Sequence, residues 1–265
     1  MPVARSGDAD VWWDSTGNGT PVVLINGLSS PSAVWFRLVP LLAPHHRVIT
    51  FDNLGTGQTL TPFPFSMSSL AQAAATVIEA AGESASHVLA ISMGGLIAQE
   101  LTLDHPGLVS SLILVSTHAG AQHMKSDQAS LDAITRAVDL PPEERTRVVS
   151  ALAYSEGTPH ERIEEDLRVR AQYPTSPEGY RAQLEATEKW ERLDELKTIG
   201  CPTLILHGAQ DRLVSVDNAR QLAQEIPESQ LIVLPDCGHQ LFTDQPDKGA
   251  RAVLDFLSTV QIART

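Results

Sequence analysis

The pattern of apolar and polar positions divides most of the chain into short buried strands that alternate with amphipathic helices. Apolar, β-branched runs bounded by turn residues predict strands at 9–13, 21–26, 47–52, 87–91 and 108–117. Apolar residues spaced near 3.6 predict helices at 31–43, 68–82 and 94–105. Such alternation favours the α/β class, with a mostly parallel, doubly wound sheet covered by helices on both faces.

The alternation stops at residue 118 and resumes near residue 198. Between them lie charge clusters such as "PPEERTR" and "ERIEEDLR", which are typical of short amphipathic helices, and no convincing buried strand. The resumed pattern predicts strands at 202–207 and 230–234 and helices at 215–226 and 245–260. We therefore expect a core formed by residues 1–117 and 198–265, with residues 118–197 inserted as a helical cap.

Three polar residues with complementary chemistry follow three of the predicted strands. Ser92 comes directly after strand 87–91, Asp211 follows strand 202–207, and His239 follows strand 230–234. Ligands of such sheets bind at the carboxyl ends of the strands, so these side chains are expected at one edge. A helix-cap serine, a turn aspartate and a loop histidine are the plain structural interpretations of each residue taken alone.

The stretch "HVLAISMGGLIAQEL" places Ser92 between a strand and a helix, with small residues at Ala90, Gly94 and Gly95. Capping alone does not require small neighbours, whereas a very sharp turn does. This stretch resembles the nucleophile elbow of the α/β-hydrolase superfamily, with Ala90 in place of the usual first glycine of G-x-S-x-G. Together with "HPGLVSSLILVST", it is similar to bacterial enol-lactonases and aclacinomycin-type methylesterases.

The resemblance implies a role for each of the three residues. Ser92 would be the nucleophile, His239 the base that takes its proton, and Asp211 the acid that orients His239. The alternative histidines are His207, expected to pack inside its strand, and His118, which lies too early in the chain order. The other candidate acids are Asp217, Asp236 and Asp244.

The superfamily also implies an oxyanion hole made by two backbone N–H groups. The expected donors are Met93, which follows the nucleophile, and Leu28, in the loop after strand 21–26. Asn26-Gly27 stands there instead of the usual His-Gly, and Asn26 is expected to organise the loop. The glycines of "FDNLGTGQT" (51–59) resemble a superfamily loop rather than a phosphate loop, because the phosphate-binding lysine is missing.

Composition limits the binding partners and the cellular location that we expect for this protein. The formal net charge of -13 argues against nucleic acid and anionic membranes as partners. The N-terminus lacks an apolar signal segment and no window can span a bilayer, so we expect a cytoplasmic location. Cys201 and Cys237 have no CxxC spacing and are expected at opposite edges of the sheet, free of each other. We expect no metal and no cofactor, and the sequence leaves the oligomeric state undefined.

The sequence thus predicts a serine hydrolase that cleaves a small or medium carboxylic ester or lactone. Walls of the substrate pocket are expected from Asn26, Trp35, Phe63, Met93, Met124, Tyr154, Trp190, Leu213 and Phe242. Alternatives on the same triad are a C–C bond hydrolase, a perhydrolase and a polyhydroxyalkanoate depolymerase. A non-hydrolytic biosynthetic cyclase and a ligand receptor are also open.

Overall fold

The computed structural model describes residues 2–59 and 61–260, in which eight strands form one sheet. The strands are β1 Val3–Ser6, β2 Ala9–Thr16, β3 Thr20–Ile25, β4 His46–Phe51, β5 Ser86–Ile91, β6 Val109–Val115, β7 Thr203–Gly208 and β8 Gln230–Leu234. Their order across the sheet is β1-β2-β4-β3-β5-β6-β7-β8. Pairings β1–β2 and β2–β4 are antiparallel, and all others are parallel. The predicted mostly parallel sheet is confirmed.

Helices follow most of the parallel strands. Those of the described residues are α1 Val39–Leu42, α2 Met67–Ala80, α3 Met93–Asp104, α4 Gln128–Arg136, α5 Pro142–Ser150, α6 His160–Gln172, α7 Pro177–Lys189, α8 Val216–Glu225, α9 Leu241–Asp244 and α10 Pro246–Thr259. None of the helices described is long and apolar enough to cross a membrane.

Alternate side chains of the central strands enter two apolar layers, one on each face of the sheet. Val23 and Ile25 of β3 belong to the layer that includes α2, α3 and α8. Val22 and Leu24 belong to the opposite layer, which includes α1 and α10. Because both faces are covered, the central strands are continuously apolar in sequence rather than alternating.

Two local features differ from the sequence expectations. Strand β1 was not predicted, and it pairs only along the edge of the sheet with β2. The helix expected at 31–43 is instead a 3₁₀ segment, Ser32–Arg37, followed by the single turn of α1. Pro40 accounts for the break, because it has no N–H to donate and its ring crowds the preceding turn.

Helices α4 to α7 occupy the chain between β6 and β7, and no strand interrupts them there among the described residues. Helix α7 reaches the loops at the carboxyl ends of the strands. Gln183 Nε2 donates to the carbonyl oxygen of Leu54 at 2.8 Å and to Thr56 Oγ1 at 2.7 Å. The helical segment therefore lies against the edge of the sheet at which Ser92 stands.

Candidate active site

Ser92 occupies a strained turn between β5 and α3. Its backbone has φ 56° and ψ -126°, in the left-handed half of conformational space that a residue with a side chain rarely adopts. Its N–H donates to the carbonyl of Val115 at 2.9 Å, and its own carbonyl accepts from Thr117 Oγ1 at 2.7 Å. Neighbouring strand β6 and the loop that follows it therefore hold the turn in place, leaving the Ser92 hydroxyl at the sheet edge.

The small residues around Ser92 are explained by close backbone approach. A Cβ on Gly94 would collide with the carbonyl oxygens of Ile25 and Asn26, and one on Gly95 would collide with the Thr117 side chain. A Cβ on Gly27 would lie 3.0 Å from Ser92 Cβ. The N-terminus of α3 thus packs directly on the end of β3, which no larger side chain permits.

Asp211 and His239 form a buried hydrogen-bonded pair. Asp211 Oδ2 lies 2.8 Å from His239 Nδ1, and Asp211 Oδ1 accepts from the N–H groups of Leu213 and Val214, each at 2.9 Å. Burial by itself raises the pKa of Asp211, but the charge of His239 and hydrogen bonds from His207 and His239 outweigh it. The resulting pKa lies well below the usual range, so Asp211 stays ionised.

His207 contacts the same carboxylate, although the sequence indicated only a packing role. Its Nε2 lies 2.8 Å from the carbonyl of Val214 and 3.3 Å from Asp211 Oδ2. His207 and Asp211 are only four residues apart. Their side chains could not be paired from the sequence, because the pairing depends on the turn at the end of β7. His207 therefore helps to fix the acid.

The loop that carries His239 is held by a second buried carboxylate. Asp244 Oδ2 accepts from the N–H of Gly238 at 2.6 Å, and Asp244 Oδ1 accepts from Thr158 Oγ1 at 2.6 Å. This position makes Asp244 a support of the loop rather than the partner of His239. Of the remaining candidate acids, Asp217 and Asp236 are exposed and pair with Arg220 and Lys248.

Ser92 and His239 line one cavity of about 240 Å³, together with Met93, Leu28 and Asn26. Within residues 2–59 and 61–260 no hydrogen bond joins Ser92 Oγ to His239. Catalytic hydrogen bonds are often long before a substrate binds, and they shorten in the complex. His239 Nδ1 is engaged by Asp211, which leaves Nε2 as the nitrogen available to Ser92.

The backbone N–H groups of Leu28 and Met93, two residues that line the cavity, have no acceptor in the described part of the chain. Met93 is the first residue of α3, where a helix has no carbonyl to receive its N–H. The loop that carries Leu28 is fixed on both sides, because Asn26 Nδ2 donates to Pro31 O at 3.0 Å and Asn53 Nδ2 donates to Asn26 O at 2.9 Å.

Gln183 adds a restraint on this loop that the sequence did not indicate. Its Oε1 accepts from the N–H of Ser29 at 2.8 Å, and its Nε2 bonds hold the neighbouring loop 51–59. Gln183 lies in an alanine- and glutamate-containing helical stretch, where a glutamine usually faces solvent. Its complete burial is the result of packing between α7 and the core.

Loop 51–59 is organised by its own aspartate. Asp52 Oδ1 accepts from the N–H of Ser32 at 2.6 Å, and Asp52 Oδ2 accepts from the N–H of Gln58 at 2.8 Å. Within the loop, the N–H of Gln58 goes to this carboxylate, and those of Thr56 and Thr59 go to backbone carbonyls of the same loop. This arrangement agrees with the sequence interpretation of a tight structural loop.

Most of the predicted wall residues reach the cavity, and three do not. Those that line it are Asn26, Trp35, Met93, Met124, Leu213 and Phe242. Phe63 is 46% exposed and packs on Phe65, with ring centroids 5.7 Å apart. Trp190 is buried elsewhere and donates from Nε1 to Glu100 at 2.8 Å. Tyr154 lies behind the wall, where its hydroxyl donates to Asp166 Oδ2 at 3.1 Å.

Asp166 forms a polar part of the cavity that the sequence pattern did not predict. It accepts from Tyr154, from Thr243 Oγ1 at 2.6 Å and from Arg37 Nε at 3.3 Å. Asp166 stands in the charged run "ERIEEDLR", whose pattern is that of a solvated helix face. Only the packing of α6 on the core separates it from the exposed acids around it.

Cys201 and Cys237 are free thiols. Cys201 precedes β7 and is half-buried, whereas Cys237 follows β8 and is buried. Among the residues described, no group of three or more His, Cys, Asp or Glu side chains is arranged to hold a metal ion. The sequence expectations of no metal and no cofactor remain predictions.

A family model described as the alpha/beta hydrolase fold matches residues 20–246, and the chain belongs to this family. It is 28% identical over 256 residues to "Putative non-heme bromoperoxidase BpoC" of Mycobacterium tuberculosis, covering 94% of this chain and 98% of the relative. It is 29% identical over 269 residues to "Putative carbamate hydrolase RutD" of Azorhizobium caulinodans, covering 98% of this chain and 99% of the relative. The crystal structure of the enol-lactonase from Burkholderia xenovorans LB400 superposes with a TM-score of 0.87 at 22% identity. The superposition covers 97% of this chain and 100% of the enol-lactonase chain.

Proposed function

We propose that this protein is a serine hydrolase that cleaves a small or medium carboxylic ester or lactone through an acyl-enzyme on Ser92. The observation that carries the proposal is the shared cavity of Ser92 and His239, in which Asp211 fixes His239 by a 2.8 Å bond to Nδ1. A serine on a strained elbow, a base and a buried ionised acid form the parts needed for acyl transfer. The carbamate hydrolase named among the relatives supports attack on a carbonyl group.

In the proposed reaction, Ser92 Oγ attacks the carbonyl carbon of the substrate while its proton passes to His239 Nε2. The N–H groups of Leu28 and Met93 donate hydrogen bonds to the carbonyl oxygen as negative charge develops on it. His239 then donates its proton to the leaving oxygen, and the acyl group stays on Ser92. Water then attacks the acyl carbon while its proton passes to His239 Nε2, and His239 returns this proton to Ser92 Oγ as the bond between Ser92 and the acyl group breaks. Asp211 remains ionised and stabilises the charged imidazole in both steps.

The helical segment 118–197 is proposed to act as a cap that selects the substrate. The same cavity as Ser92 is lined by four apolar residues of this segment, Met124, Leu131, Ile134 and Val149. Their apolar side chains suit the hydrocarbon part of an ester, as is usual for small-molecule sites. A cytoplasmic location and the absence of nucleic-acid and membrane partners remain predictions of the sequence.

The direct test is hydrolysis of p-nitrophenyl esters of increasing acyl length, and of a lactone series, at neutral pH. We expect turnover by the wild type and a loss of about 10⁴- to 10⁶-fold in kcat for Ser92→Ala. Ser68→Ala is the matched control, because Ser68 is an exposed helical serine outside the cavity lining. It should retain full activity.

Labelling with a fluorophosphonate separates the possible failures. A Ser92 adduct without turnover of any ester or lactone contradicts the assigned substrate class but keeps Ser92 as a reactive nucleophile. Absence of both adduct and turnover contradicts the triad itself. That result favours a non-hydrolytic cyclase or a ligand receptor on the same fold.

A further inference from the structure

His118 is a buried histidine of the cavity that the proposed acyl transfer does not use. It follows β6 and is 4% exposed, yet it lines the same cavity as Ser92 and His239. Its backbone is fixed to the nucleophile helix, because Gln99 Nε2 donates both to His118 O at 3.1 Å and to Gly95 O at 2.9 Å. The backbone of His118 is therefore tied to helix α3, which begins beside Ser92.

The hydrogen bond to Nδ1 determines which nitrogen of His118 carries the proton. The N–H of Gly120 donates to His118 Nδ1 at 3.2 Å, so Nδ1 is the acceptor of a neutral ring. The proton of that ring then lies on Nε2. Burial lowers the pKa of His118 to about 4, which keeps the ring neutral at physiological pH.

The Nε2–H group has no protein acceptor within the described residues. It is not one of the fully buried polar atoms that lack a partner, so it is accessible from the cavity that His118 lines. His118 cannot act as a second base, since its only lone pair in the ring plane is occupied by the Gly120 N–H. It is instead a fixed, uncharged donor in a largely apolar chamber. A substrate that offers no acceptor to it must leave a buried N–H unpaired.

We propose that His118 is a substrate-binding residue whose Nε2–H donates to an uncharged oxygen of the substrate, placed beside the scissile carbonyl. The preferred substrates are then esters or lactones that carry an ether, carbonyl or hydroxyl oxygen near the reacting group, rather than plain alkanoate esters. This inference rests on the proposed hydrolase function. A site that donates to this oxygen favours such a substrate over the analogue that lacks it by about the free energy of one net hydrogen bond.

The test is an oxygen scan. The probes are p-nitrophenyl hexanoate and analogues in which each chain methylene from the third acyl carbon onward is replaced in turn by an ether oxygen, which leaves the ester group itself unchanged. A second series scans the alcohol part of alkyl acetates from the third alkoxy carbon onward. For each analogue, kcat/KM is divided by that of its hydrocarbon parent, and this ratio is compared between wild type and His118→Leu. Because both enzymes meet the same pair of esters, differences in intrinsic reactivity cancel.

We expect one oxygen position at which the wild-type ratio exceeds that of His118→Leu by about 3- to 10-fold, the range of one net hydrogen bond. His118→Gln, which keeps a donor, should recover part of the preference. His160→Leu is the control, because the His160 side chain is 84% exposed, and its ratios should match the wild type. Equal ratios in wild type and His118→Leu at every position would overturn the proposal.

Nitrogen-15 histidine NMR on Ser92→Ala gives a readout that does not need turnover. Free protein should show His118 protonated on Nε2, and the ether ester should shift this resonance while its hydrocarbon parent does not. A proton on Nδ1, or equal shifts with both esters, would contradict the role of His118. If the wild type hydrolyses nothing but the His118 shift is seen, the hydrolase proposal fails and the binding role stands.

Discussion

Three buried titratable side chains, Asp211, His118 and His87, are held in different charge states by their neighbours. Asp211 keeps its charge because His239 and two backbone N–H groups surround it. His118 and His87 lose theirs, because burial lowers the pKa of each to about 4. Burial thus leaves an ion where the partners favour the charged form, and neutral rings where no partner of opposite charge does so.

His87 stands apart from the catalytic groups, at the start of β5, and provides a test of stability alone. Its Nδ1 lies 2.8 Å from Ser111 Oγ, and its ring is 6.4 Å from that of His46. In the unfolded chain a histidine binds its proton near pH 6.5, whereas folded His87 does so only near pH 4. Between these values the unfolded state holds more protons, so the free energy of unfolding falls as the pH is lowered.

We therefore expect acid to destabilise the protein from about pH 6.5 downwards, with His87 contributing about 1.4 kcal/mol per pH unit. Urea unfolding of wild type and His87→Gln between pH 7.5 and pH 4.5 measures the slope. The variant should lose less stability over this range, since its glutamine has no proton to gain. The exposed-site control His160→Gln should follow the wild type. Parallel slopes for wild type and His87→Gln would contradict the assignment.

At the scale of elements, the junction of β5 and α3 depends on contact between two backbones. Gly94 lies so close to the end of β3 that a methyl group would meet the carbonyl oxygens of Ile25 and Asn26. Backbone atoms cannot rotate away as a side chain can. The elbow therefore owes its shape to what the neighbouring strand allows as much as to the turn itself.

Gly94→Ala should destabilise the protein by about 1–3 kcal/mol and lower kcat, because α3 must move and carry the Met93 N–H with it. Gly107→Ala is the matched control: Gly107 is exposed in the turn after α3, and a Cβ there meets no atom within 4 Å. Chemical unfolding and ester turnover measure the two effects. A Gly94→Ala protein as stable and active as Gly107→Ala would disprove the steric account.

At the scale of the whole molecule, Asp166 joins the helical segment to the core. Its carboxylate accepts from Tyr154 in the helical segment, from Thr243 of α9, and from Arg37 in the 3₁₀ segment after β3. Glu165, the preceding residue, pairs with the same Arg37 at 2.7 Å but is 43% exposed. Of the two adjacent acids, Asp166 therefore belongs to a buried junction and Glu165 to a solvent-exposed ion pair.

Asp166→Asn should lower the free energy of unfolding by about 3 kcal/mol, because the buried donors that converge on the carboxylate lose a charged acceptor. Glu165→Gln should change it by less than about 1 kcal/mol, since water screens the exposed pair. Urea denaturation of both variants measures the difference. Equal effects of the two substitutions would show that the junction adds no stability beyond a surface contact.

The sequence determined the order of strands and helices and the three triad candidates, because these follow from local periodicity and chain order. Apolar runs could be assigned to buried strands, and Ser92, Asp211 and His239 then fell at the ends of strands that a parallel sheet aligns. The edge strand β1 and the break of the helix at Pro40 were not predicted, because their local sequence signals are weak.

Tertiary structure alone decided which polar residues of the helical segment are buried against the core. Gln183 and Ser29 are 154 positions apart, and Asp166 meets Thr243 across 77 positions. Phe63 and Trp190 were expected in the wall and lie elsewhere, while His118 received its tautomer from a backbone N–H that only the folded turn presents. Helical period places a side chain on a face of its own helix, but the packing of that helix on the core decides whether the face meets solvent or substrate.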